Sequence, residues 1–459
     1  MQGAVARHEE DQASASVDPV QPVAERWFSV GFAVLVTWLS LVQQPGRTTY
    51  DTRAELTERP GEFLAGAFHL WHPDSNLGEF QNQAYGYLFP HGPWFLLGDL
   101  LSVPDWVVQR LWTALVLVVA YEGARRVGGA VGLGTAGRVL TGLVFALAPR
   151  VLGTVGVLTG ETVPGAVMPW VVLPVLLALG GRMAPRRAAV LSGAAVVCMG
   201  GVNAVEVAGS LPLAILLVGW GVYRGLVPRL FALWWAGAVA LATLWWVLPL
   251  LVLARYAPSF YEYVESARDT TALVGWSEAL RGATQWISYV VVGGQPWWPA
   301  AYSLSTTPVL MLAAAAITGI GLVGLVRLRS ALRAPLVASV VLGLVALTIG
   351  RGGATGSLVA EPMLALLDGP LQIFRNVHKI DPVIRLPLAI GFAHACVLGA
   401  AMVVRRPGRA APLRSAALVL PALLPLALLA PFVQNDARTP GWTAMADHWV
   451  AARDHLREA

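Results

Sequence analysis

Three acidic residues stand where a carboxylate could act on a polar substrate beside a membrane. Asp51 follows the first long apolar run, in GRTTYDTRAEL, while Glu161 and Glu206 stand at the mouths of later apolar runs, in LTGETVPGAV and GGVNAVEVAGS. A carboxylate with suitable geometry can take a proton from a hydroxyl group as a general base. Ionisable groups in membrane segments are costly and often functional. These three residues are therefore candidate catalytic residues.

Each acid also has a structural explanation. Asp51 could be one of several solvated loop acids, or it could cap a surface helix. Glu161 precedes Pro164, and an acid in the first turn of a helix is favoured by the helix dipole. The same explanation applies to Glu206. The residues alone leave both explanations open.

The densest set of polar residues is FRNVHKIDPVIR, directly before a late apolar run. It contains Arg375, Asn376, His378 and Lys379, and Lys379 is the only lysine in the chain. Arginine binds a phosphate through two parallel hydrogen bonds, and lysine attracts it as a point charge. These four residues are therefore candidate phosphate ligands. Ordinary anchoring of basic side chains at the membrane interface is the alternative.

Arg150 is a further candidate for binding phosphate. It follows Pro149 inside an apolar run, in FALAPRVLG. Proline breaks a helix, and an unpaired guanidinium would be costly in a membrane. Arg150 could therefore face a polar cavity. Alternatively, the helix ends early and the side chain extends to the interface.

Support for a metal site is weak. His69, His72 and Asp74, in HLWHPD, have a spacing that could hold a metal, but no further ligand lies nearby in the sequence. We assign no residue to a metal and leave a divalent cation open as a cofactor. The sequence shows no P-loop, no dinucleotide-binding glycine pattern and no Gly-x-Ser-x-Gly motif, so nucleotide-binding and hydrolase functions lack support.

The composition places these residues in a membrane protein. Of 459 residues, 56% are hydrophobic and 13% are charged, and the mean hydropathy is +0.61, which excludes a soluble class. A helix needs about 20 mostly apolar residues to cross a bilayer. About eleven transmembrane helices are predicted in an all-α polytopic membrane protein, at 27–43, 106–121, 139–158, 164–181, 188–202, 206–223, 230–254, 307–326, 334–350, 386–404 and 415–432.

Basic residues predict the orientation of these helices. Five short links hold fifteen arginines, and short links rich in arginine remain in the cytoplasm. The large loops 44–105, 255–306 and 351–385 then lie on the extracytoplasmic side of the plasma membrane, together with the candidate active site. Apolar residues with helical spacing at 63–71 predict a helix along the membrane surface in the first of these loops.

Three regions are predicted along the chain. Residues 1–26 are polar and lack the pattern of a cleaved signal peptide, which indicates a cytoplasmic tail. Residues 27–432 form the transmembrane domain. Residues 433–459 turn polar and are expected to begin an extracytoplasmic region that is truncated here, because the last helical pattern has no capping glycine.

Three long stretches are specific enough to suggest a family. They are QNQAYGYLFPHGPWFLLGDLL at 81–101, GWSEALRGATQWISYVVVGGQPWWPAAY at 275–302 and GPLQIFRNVHKIDPVIRLPLAIG at 369–391. They resemble the AftD-type arabinofuranosyltransferases of mycobacteria and related actinobacteria. The resemblance implies a GT-C glycosyltransferase that transfers arabinofuranose, with inversion, from decaprenyl-phosphoarabinose to arabinan of arabinogalactan or lipoarabinomannan in cell wall biosynthesis. This donor, the arabinan acceptor and the lipid bilayer are the expected partners, and nucleic acid is not one.

The resemblance also bears on individual residues. The family places its catalytic acid in the first outer loop, which matches Asp51. Motif residues expected to form substrate loops are Asn82, His91, Trp297 and Trp298. The family continues into a large extracytoplasmic region with carbohydrate-binding modules, which this sequence lacks. Two alternatives share the topology: another polyprenyl-phosphate-sugar-dependent GT-C enzyme, such as a mannosyltransferase, and a lipid-linked sugar transporter or flippase.

Overall fold

The computed structural model describes residues 20–51, 53–73, 78–80, 83–256, 263–353, 356–404 and 411–458. These residues form helices joined by turns, with two hairpins of two-residue strands. The predicted all-α class is confirmed. Most of the predicted tail 1–26 lies outside the described residues, and the chain is already helical at Val20.

The helices are numbered here in chain order. The first eleven are α1 (Val20–Leu41), α2 (Ala54–Glu58), α3 (Pro60–Ala67), α4 (His91–Leu100), α5 (Asp105–Ala130), α6 (Thr135–Ala146), α7 (Pro149–Leu152), α8 (Thr159–Leu179), α9 (Pro185–Val197), α10 (Ala204–Gly209) and α11 (Pro212–Tyr223). Strands β1 (Trp71–His72) and β2 (Glu79–Phe80) pair antiparallel, and a 3₁₀ helix covers Ala84–Tyr87.

The remaining elements follow the same numbering. The helices are α12 (Leu230–Tyr256), α13 (Ala267–Thr271), α14 (Trp276–Arg281), α15 (Pro299–Thr306), α16 (Pro308–Val326), α17 (Arg333–Thr348), α18 (Ala360–Leu367), α19 (Pro382–Val404), α20 (Ala411–Ala427), α21 (Ala430–Val433) and α22 (Asp447–Glu458). Strands β3 (Val291–Val292) and β4 (Gln295–Pro296) form the second hairpin. Further 3₁₀ helices cover Trp286–Tyr289, Gln372–Phe374 and Val377–Ile380.

Among the described residues, six stretches are long and apolar enough to cross a membrane by length and composition. They are α5, α8, α10 with α11, α12, α16 and α19. Two further apolar helices, α6 and α17, are shorter. The chain is therefore a multi-pass helical membrane protein. Each of the eleven predicted runs overlaps a helix, and the number of crossings stays a prediction.

The third predicted run, 139–158, is wrong as one continuous helix. α6 ends at Ala146, the backbone is extended at Ala148 (φ −63°, ψ 144°), and α7 begins at Pro149. Proline cannot donate to the helical ladder, and it pushes the preceding residue out of the helical region. As a result Arg150 turns into the protein, where it is 5% exposed.

Two other predicted runs are also divided next to prolines. The run 206–223 contains α10 and then α11, which has Pro212 at its start. The run 415–432 contains α20 and then α21, which has Pro431 in its first turn. Proline is tolerated in the first turn of a helix, where its missing N–H would have no partner. Each proline therefore begins a new helix instead of continuing the previous one.

The first long loop contains a helix, as predicted, but a shorter one. α3 ends at Ala67, so Trp71 lies outside it and belongs to β1. Trp71 instead packs edge-on against Phe80 across the hairpin, with ring centroids 5.5 Å apart. The apolar spacing at 63–71 therefore reflects two elements.

The centre of the helix bundle is closely packed. α16 crosses α19 where Gly321 and Gly324 face the backbone of Leu388 and Gly391, and a Cβ at either position would collide with a carbonyl group. Small residues allow such close approach in membranes. α8 is also central: 83% of its apolar 18-residue stretch is buried inside the protein, whereas the same share of α12 is 17%. The first turn of α8 thus lies inside the protein, where polar groups need partners.

Candidate functional site

The loop after α1 lies against α5 and presents Asp51 to the start of α8. Arg110, fully buried on α5, donates to the backbone carbonyl of Arg47 (2.8 Å). The neighbouring Gln109 accepts from the backbone N–H of Thr49 (3.1 Å) and donates to its carbonyl (2.9 Å). These bonds fix the backbone immediately before Asp51.

Asp51 is held by the first residue of α8. Its carboxylate accepts hydrogen bonds from the backbone N–H (2.8 Å) and the hydroxyl (2.6 Å) of Thr159. Burial raises the pKa of the Asp51 carboxyl above its usual value, and the positive charge of Arg438 and the hydrogen bonds from Thr159 oppose that rise. The side chain remains partly exposed. A hydroxyl group can therefore approach a carboxylate whose basicity exceeds that of a free aspartate.

Glu161 lies in the first turn of the same helix and is surrounded by donors. Lys379 Nζ is 3.3 Å from its Oε1, and Arg150 Nη2 is 3.7 Å from its Oε2. The side-chain amides of Asn203 (3.3 Å) and Gln285 (3.5 Å) also donate to it. With donors on both of its oxygens, Glu161 organises the cations around it.

Arg150 connects Glu161 to the third candidate acid. Its Nη2 lies 3.2 and 3.1 Å from the two carboxyl oxygens of Glu206. Glu206 belongs to the first turn of α10, where the side chain of Asn203 accepts from its backbone N–H (3.1 Å). Arg150 and Glu206 are 5% and 1% exposed. Removing one partner of such a buried pair would strand the other charge. The catalytic role of Glu206 and the phosphate-binding role of Arg150 stay predictions.

His378 and Lys379 come from the 3₁₀ helix directly before α19. His378 Nε2 is 3.7 Å from Oε2 of Glu161. Burial lowers the pKa of His378 to about 4, so at neutral pH this contact joins a neutral imidazole to the carboxylate. Lys379 and Arg150 are therefore the two cations that face Glu161 among the residues the structure describes.

Arg375 and Asn376 lie apart from this cluster. Nε of Arg375 is 3.8 Å from Glu265, and the amide of Asn376 donates to the same carboxylate (2.6 Å). Trp286 Nε1 donates to Oδ1 of Asn376 (3.1 Å). The residues predicted as one phosphate site therefore face two different carboxylates.

Asp381 and Arg385, at the end of the polar segment FRNVHKIDPVIR, hold the loop before β3. Asp381 is fully buried and its Oδ2 lies 3.0 Å from Nε of Arg385. Nη1 of Arg385 donates to the carbonyl of Leu280 (2.5 Å), and Nη2 donates to that of Ala279. Thr284 donates to Oδ1 of Asp381 (3.4 Å). This ion pair therefore positions the end of α14 and the segment that leads to Gln285.

Of the predicted substrate-loop residues, His91 and Trp298 lie in apolar packing. His91 is 1% exposed, with its ring 5.4 Å from that of Tyr87 and 4.9 Å from that of Trp112. Burial lowers the pKa of His91 to about 3. Trp298 is 6% exposed, whereas Trp297 is 48% exposed and remains available to a substrate.

Two predicted residues, Asn82 and Asp74, lie outside the described residues. Asp74 belongs to the weak metal-binding pattern that also contains His69 and His72. In the part of the chain that the structure describes, no three His, Cys, Asp or Glu side chains are grouped so that they could hold a metal ion.

Several polar residues of the site are missing from the set predicted by sequence. Arg110 is an arginine inside the predicted run 106–121, the same signal that identified Arg150. Asn203 and Gln285 give no such signal, because an uncharged amide in a loop is ordinary and their partner Glu161 is 42 and 124 positions away. Their role emerges only when the helices are assembled.

An apolar groove of about 590 Å³ runs along α8, between α5 and α9. Its wall on α8 extends from Val163 to Leu177, a rise of about 21 Å at 1.5 Å per residue. This rise covers most of the roughly 30 Å hydrocarbon core of a bilayer. At 3.6 residues per turn, Val163 shares a face with Thr159 and lies opposite Glu161. The groove therefore lies on the side of α8 that holds Asp51, and Cys198 is part of its lining.

The fold and the site define a multi-pass helical membrane protein with a buried charged cluster where its long loops meet helix ends. Residues 35–459 match the family model of alpha-(1->3)-arabinofuranosyltransferase, N-terminal GT-C domain. The chain belongs to this family, which confirms the resemblance and the GT-C fold predicted from the sequence.

Individual relatives agree with the family. The alpha-(1->3)-arabinofuranosyltransferase of Mycolicibacterium smegmatis is 44% identical over 369 residues, which covers 80% of this chain and 25% of that protein. The alpha-(1->3)-arabinofuranosyltransferase of Mycobacterium tuberculosis is 42% identical over 379 residues, which covers 81% of this chain and 26% of that protein. A cryo-EM structure of arabinofuranosyltransferase AftD from mycobacteria is 34% identical with a TM-score of 0.71, and the similarity covers 94% of this chain and 29% of that one. The chain spans about a quarter of the length of its curated relatives.

Proposed function

We propose that this chain is the membrane part of an arabinofuranosyltransferase. It would transfer arabinofuranose from decaprenyl-phosphoarabinose to arabinan of arabinogalactan or lipoarabinomannan in cell wall biosynthesis. The observation that supports this most is that a partly exposed carboxylate and two cations lie at the same end of α8 in a chain of this family: Asp51 contacts Thr159, while Lys379 and Arg150 contact Glu161. Transfer from a lipid phosphate needs a base for the incoming hydroxyl and positive charge for the departing phosphate.

The proposed reaction is a single displacement. The acceptor hydroxyl oxygen forms a bond to the anomeric carbon while the bond from that carbon to the phosphate oxygen breaks. Asp51 takes the hydroxyl proton, and the lipid phosphate leaves on the opposite side, so the anomeric configuration inverts. Lys379, which is 12% exposed, stabilises the negative charge that develops on the departing phosphate.

The apolar groove along α8 is the proposed place for the donor's polyprenyl chain. Its headgroup would then lie at the N-terminal end of α8, where the positive end of the helix dipole and Lys379 attract a phosphate. Cys198 can report occupancy, because it is an exposed thiol in the groove while the second cysteine, Cys396, is buried. In a Cys396→Ala background, the donor should slow labelling of Cys198 by a membrane-permeant maleimide. Equal labelling with and without donor would show that the donor's polyprenyl chain does not bind in this groove.

The function itself is tested by a transfer assay. Purified protein is incubated with radiolabelled decaprenyl-phosphoarabinose and a short arabinan, beside the corresponding mannose donor, with Asp51→Asn as the inactive control. Transfer of arabinose alone supports the proposal. Transfer of mannose instead would indicate a different GT-C enzyme, and movement of intact donor across vesicles without transfer would indicate a flippase.

The active site is proposed to face the extracytoplasmic side of the plasma membrane. This orientation rests on the arginine-rich links, one of which contains Ala184 and another Ser330. In intact cells, cysteines introduced at these two positions should resist an impermeant thiol reagent, whereas a cysteine at the exposed Tyr50 should react. Strong labelling at 184 or 330 would reverse the orientation.

A further inference from the structure

Residues 434–442, which follow α21, fold back over the loop that contains Asp51. We call this segment the strap. Thr48 and Trp442 exchange two backbone hydrogen bonds (2.9 and 2.8 Å) in a β-bridge. The side chain of Gln44 donates to the carbonyl of Thr439 (3.0 Å) and accepts from the N–H of Gly441 (2.7 Å). Two segments almost four hundred residues apart are thus joined directly.

The strap also contacts the turn that leads into α8. Gly156 lies directly beneath the carbonyl of Ala437, and a Cβ at this glycine would collide with that oxygen. Three residues after Gly156 comes Thr159, which holds the Asp51 carboxylate. The strap therefore contacts both the loop that contains Asp51 and the turn before Thr159, whose side chain and backbone hold the Asp51 carboxylate.

Arg438 is the strap residue that enters this space. It is 2% exposed, and its Nη1 donates to the hydroxyl of Thr49 (2.7 Å), two residues before Asp51. Its Nη2 donates to the hydroxyl of Thr113 and to the backbone carbonyl of Gln109 (3.3 Å) on α5. A planar guanidinium directs its donors from separate nitrogens in a fixed fork, whereas an ammonium group carries its three donors on one rotatable nitrogen.

We propose that Arg438 is a positioning residue for Asp51: its guanidinium clamps the Asp51 loop onto α5 and supplies a fixed positive charge beside the carboxylate. This inference rests on the proposed role of Asp51 as the base. The charged groups that act on Asp51 include Arg438 from the strap and Arg110 from α5, and Thr159 donates hydrogen bonds to it from α8. Arg438 opposes the effect of burial on the pKa of Asp51.

The sign of the expected pH effect follows from these contacts. A base acts only when ionised, so the rate rises with pH through the pKa of Asp51. Without Arg438 that pKa moves further up, and the acid limb of the pH–rate profile should shift upward by roughly one unit, the effect of one nearby opposite charge. A purely structural role would lower the amount of folded protein at every pH and leave the shape of the profile unchanged.

The experiment compares Arg438→Gln, Arg438→Lys and the matched control Arg453→Gln, whose arginine is exposed on α22. In the arabinose transfer assay, Arg438→Gln should lower kcat about tenfold or more with little change in KM for the donor, and it should shift the acid limb as stated. Arg438→Lys should restore the acid limb but not the full rate. The control should match the unaltered chain. An unshifted acid limb in Arg438→Gln would overturn the electrostatic part of the proposal.

A second readout does not depend on activity. A spin label at Tyr50→Cys, in a background with Cys198 and Cys396 changed to alanine, reports the mobility of the Asp51 loop. Arg438→Gln should narrow the lines of the label's electron paramagnetic resonance spectrum, because the loop becomes more mobile, and Arg453→Gln should not. An unchanged spectrum would overturn the clamp. If the unaltered chain transfers no arabinose while the spectrum sharpens, the proposed function fails and the clamp stands.

Discussion

Two carboxylates at the same end of α8 have opposite surroundings. Asp51 accepts hydrogen bonds from the backbone N–H and the hydroxyl of one neutral residue, Thr159, and remains partly exposed. Glu161, two positions further along, is enclosed by Lys379 and Arg150 together with two amides. The first environment leaves the carboxylate partly accessible to a substrate. The second uses the carboxylate oxygens to hold cations in place.

The different roles that we propose for the two carboxylates follow from their neighbours. Both acids lie at the first turn of α8, where the helix dipole favours negative charge. A buried cation that binds a carboxylate directly has part of its charge neutralised, so its net attraction for an added phosphate is reduced. Lys379, which contacts Glu161 through a single 3.3 Å interaction, is therefore better placed to turn to a substrate than Arg150, which also binds Glu206.

The largest expected effect comes from removing the proposed base. Asp51→Asn keeps the size of the side chain and its hydrogen bonds to Thr159 in part, but it cannot take a proton. Its turnover should fall by about a hundredfold to ten-thousandfold, the usual contribution of general base catalysis. Donor binding, measured by protection of Cys198 from maleimide, should be unchanged. Near-normal turnover would mean that Asp51 only caps α8, the structural explanation that its contacts with Thr159 also permit.

A smaller effect is expected from the cations. Lys379→Ala removes one of the two positive charges that face Glu161. Loss of a charged hydrogen bond to phosphate costs about 1.5–3 kcal/mol, or tenfold to a hundredfold in donor affinity. Arg375→Ala is the matched comparison, because Arg375 faces Glu265 and should weaken the donor less. Equal losses in both variants would restore the single phosphate site predicted from the sequence.

The smallest effect concerns His91 and acts on stability. Burial lowers its pKa from 6.5 to about 3, so below pH 6.5 the unfolded chain binds a proton that the folded chain does not. Stability is therefore lost as pH falls below 6.5. His91→Phe should remove up to about 2 kcal/mol of that loss at pH 5, seen as a shallower fall in Tm between pH 6.5 and 5. The exposed His448→Phe is the control and should leave the slope unchanged.

The sequence predicted the helices well because an apolar run long enough to span a bilayer has few other stable conformations. The breaks were harder. Pro149 was visible as a helix breaker, yet the sequence left open whether Arg150 would reach the interface or turn inward. Its partner Glu206 is 56 positions away, so the outcome depended on how α7 and α10 pack.

The chemistry of the site was predictable by residue type but not by pairing. An isolated Lys379 and acids at the mouths of apolar runs are unusual enough to be noticed in one sequence. Which cation meets which carboxylate depends on contacts between distant segments. Arg438 is the extreme case, since the arginine lies in a polar stretch and contacts Thr49 only because the strap folds back over the first loop.

The most direct test of the division between the two carboxylates measures transfer at saturating donor for Asp51→Asn and Glu161→Gln, each normalised to folded protein. Asp51→Asn should fold normally and lose its saturating rate. Glu161→Gln should lose stability, by about 3–5 kcal/mol as for a broken buried pair, yet the fraction that folds should keep a saturating rate within about tenfold of the unaltered chain, because the base is intact. If Glu161→Gln folds well and loses the rate while Asp51→Asn retains it, Glu161 is the base and the account is wrong.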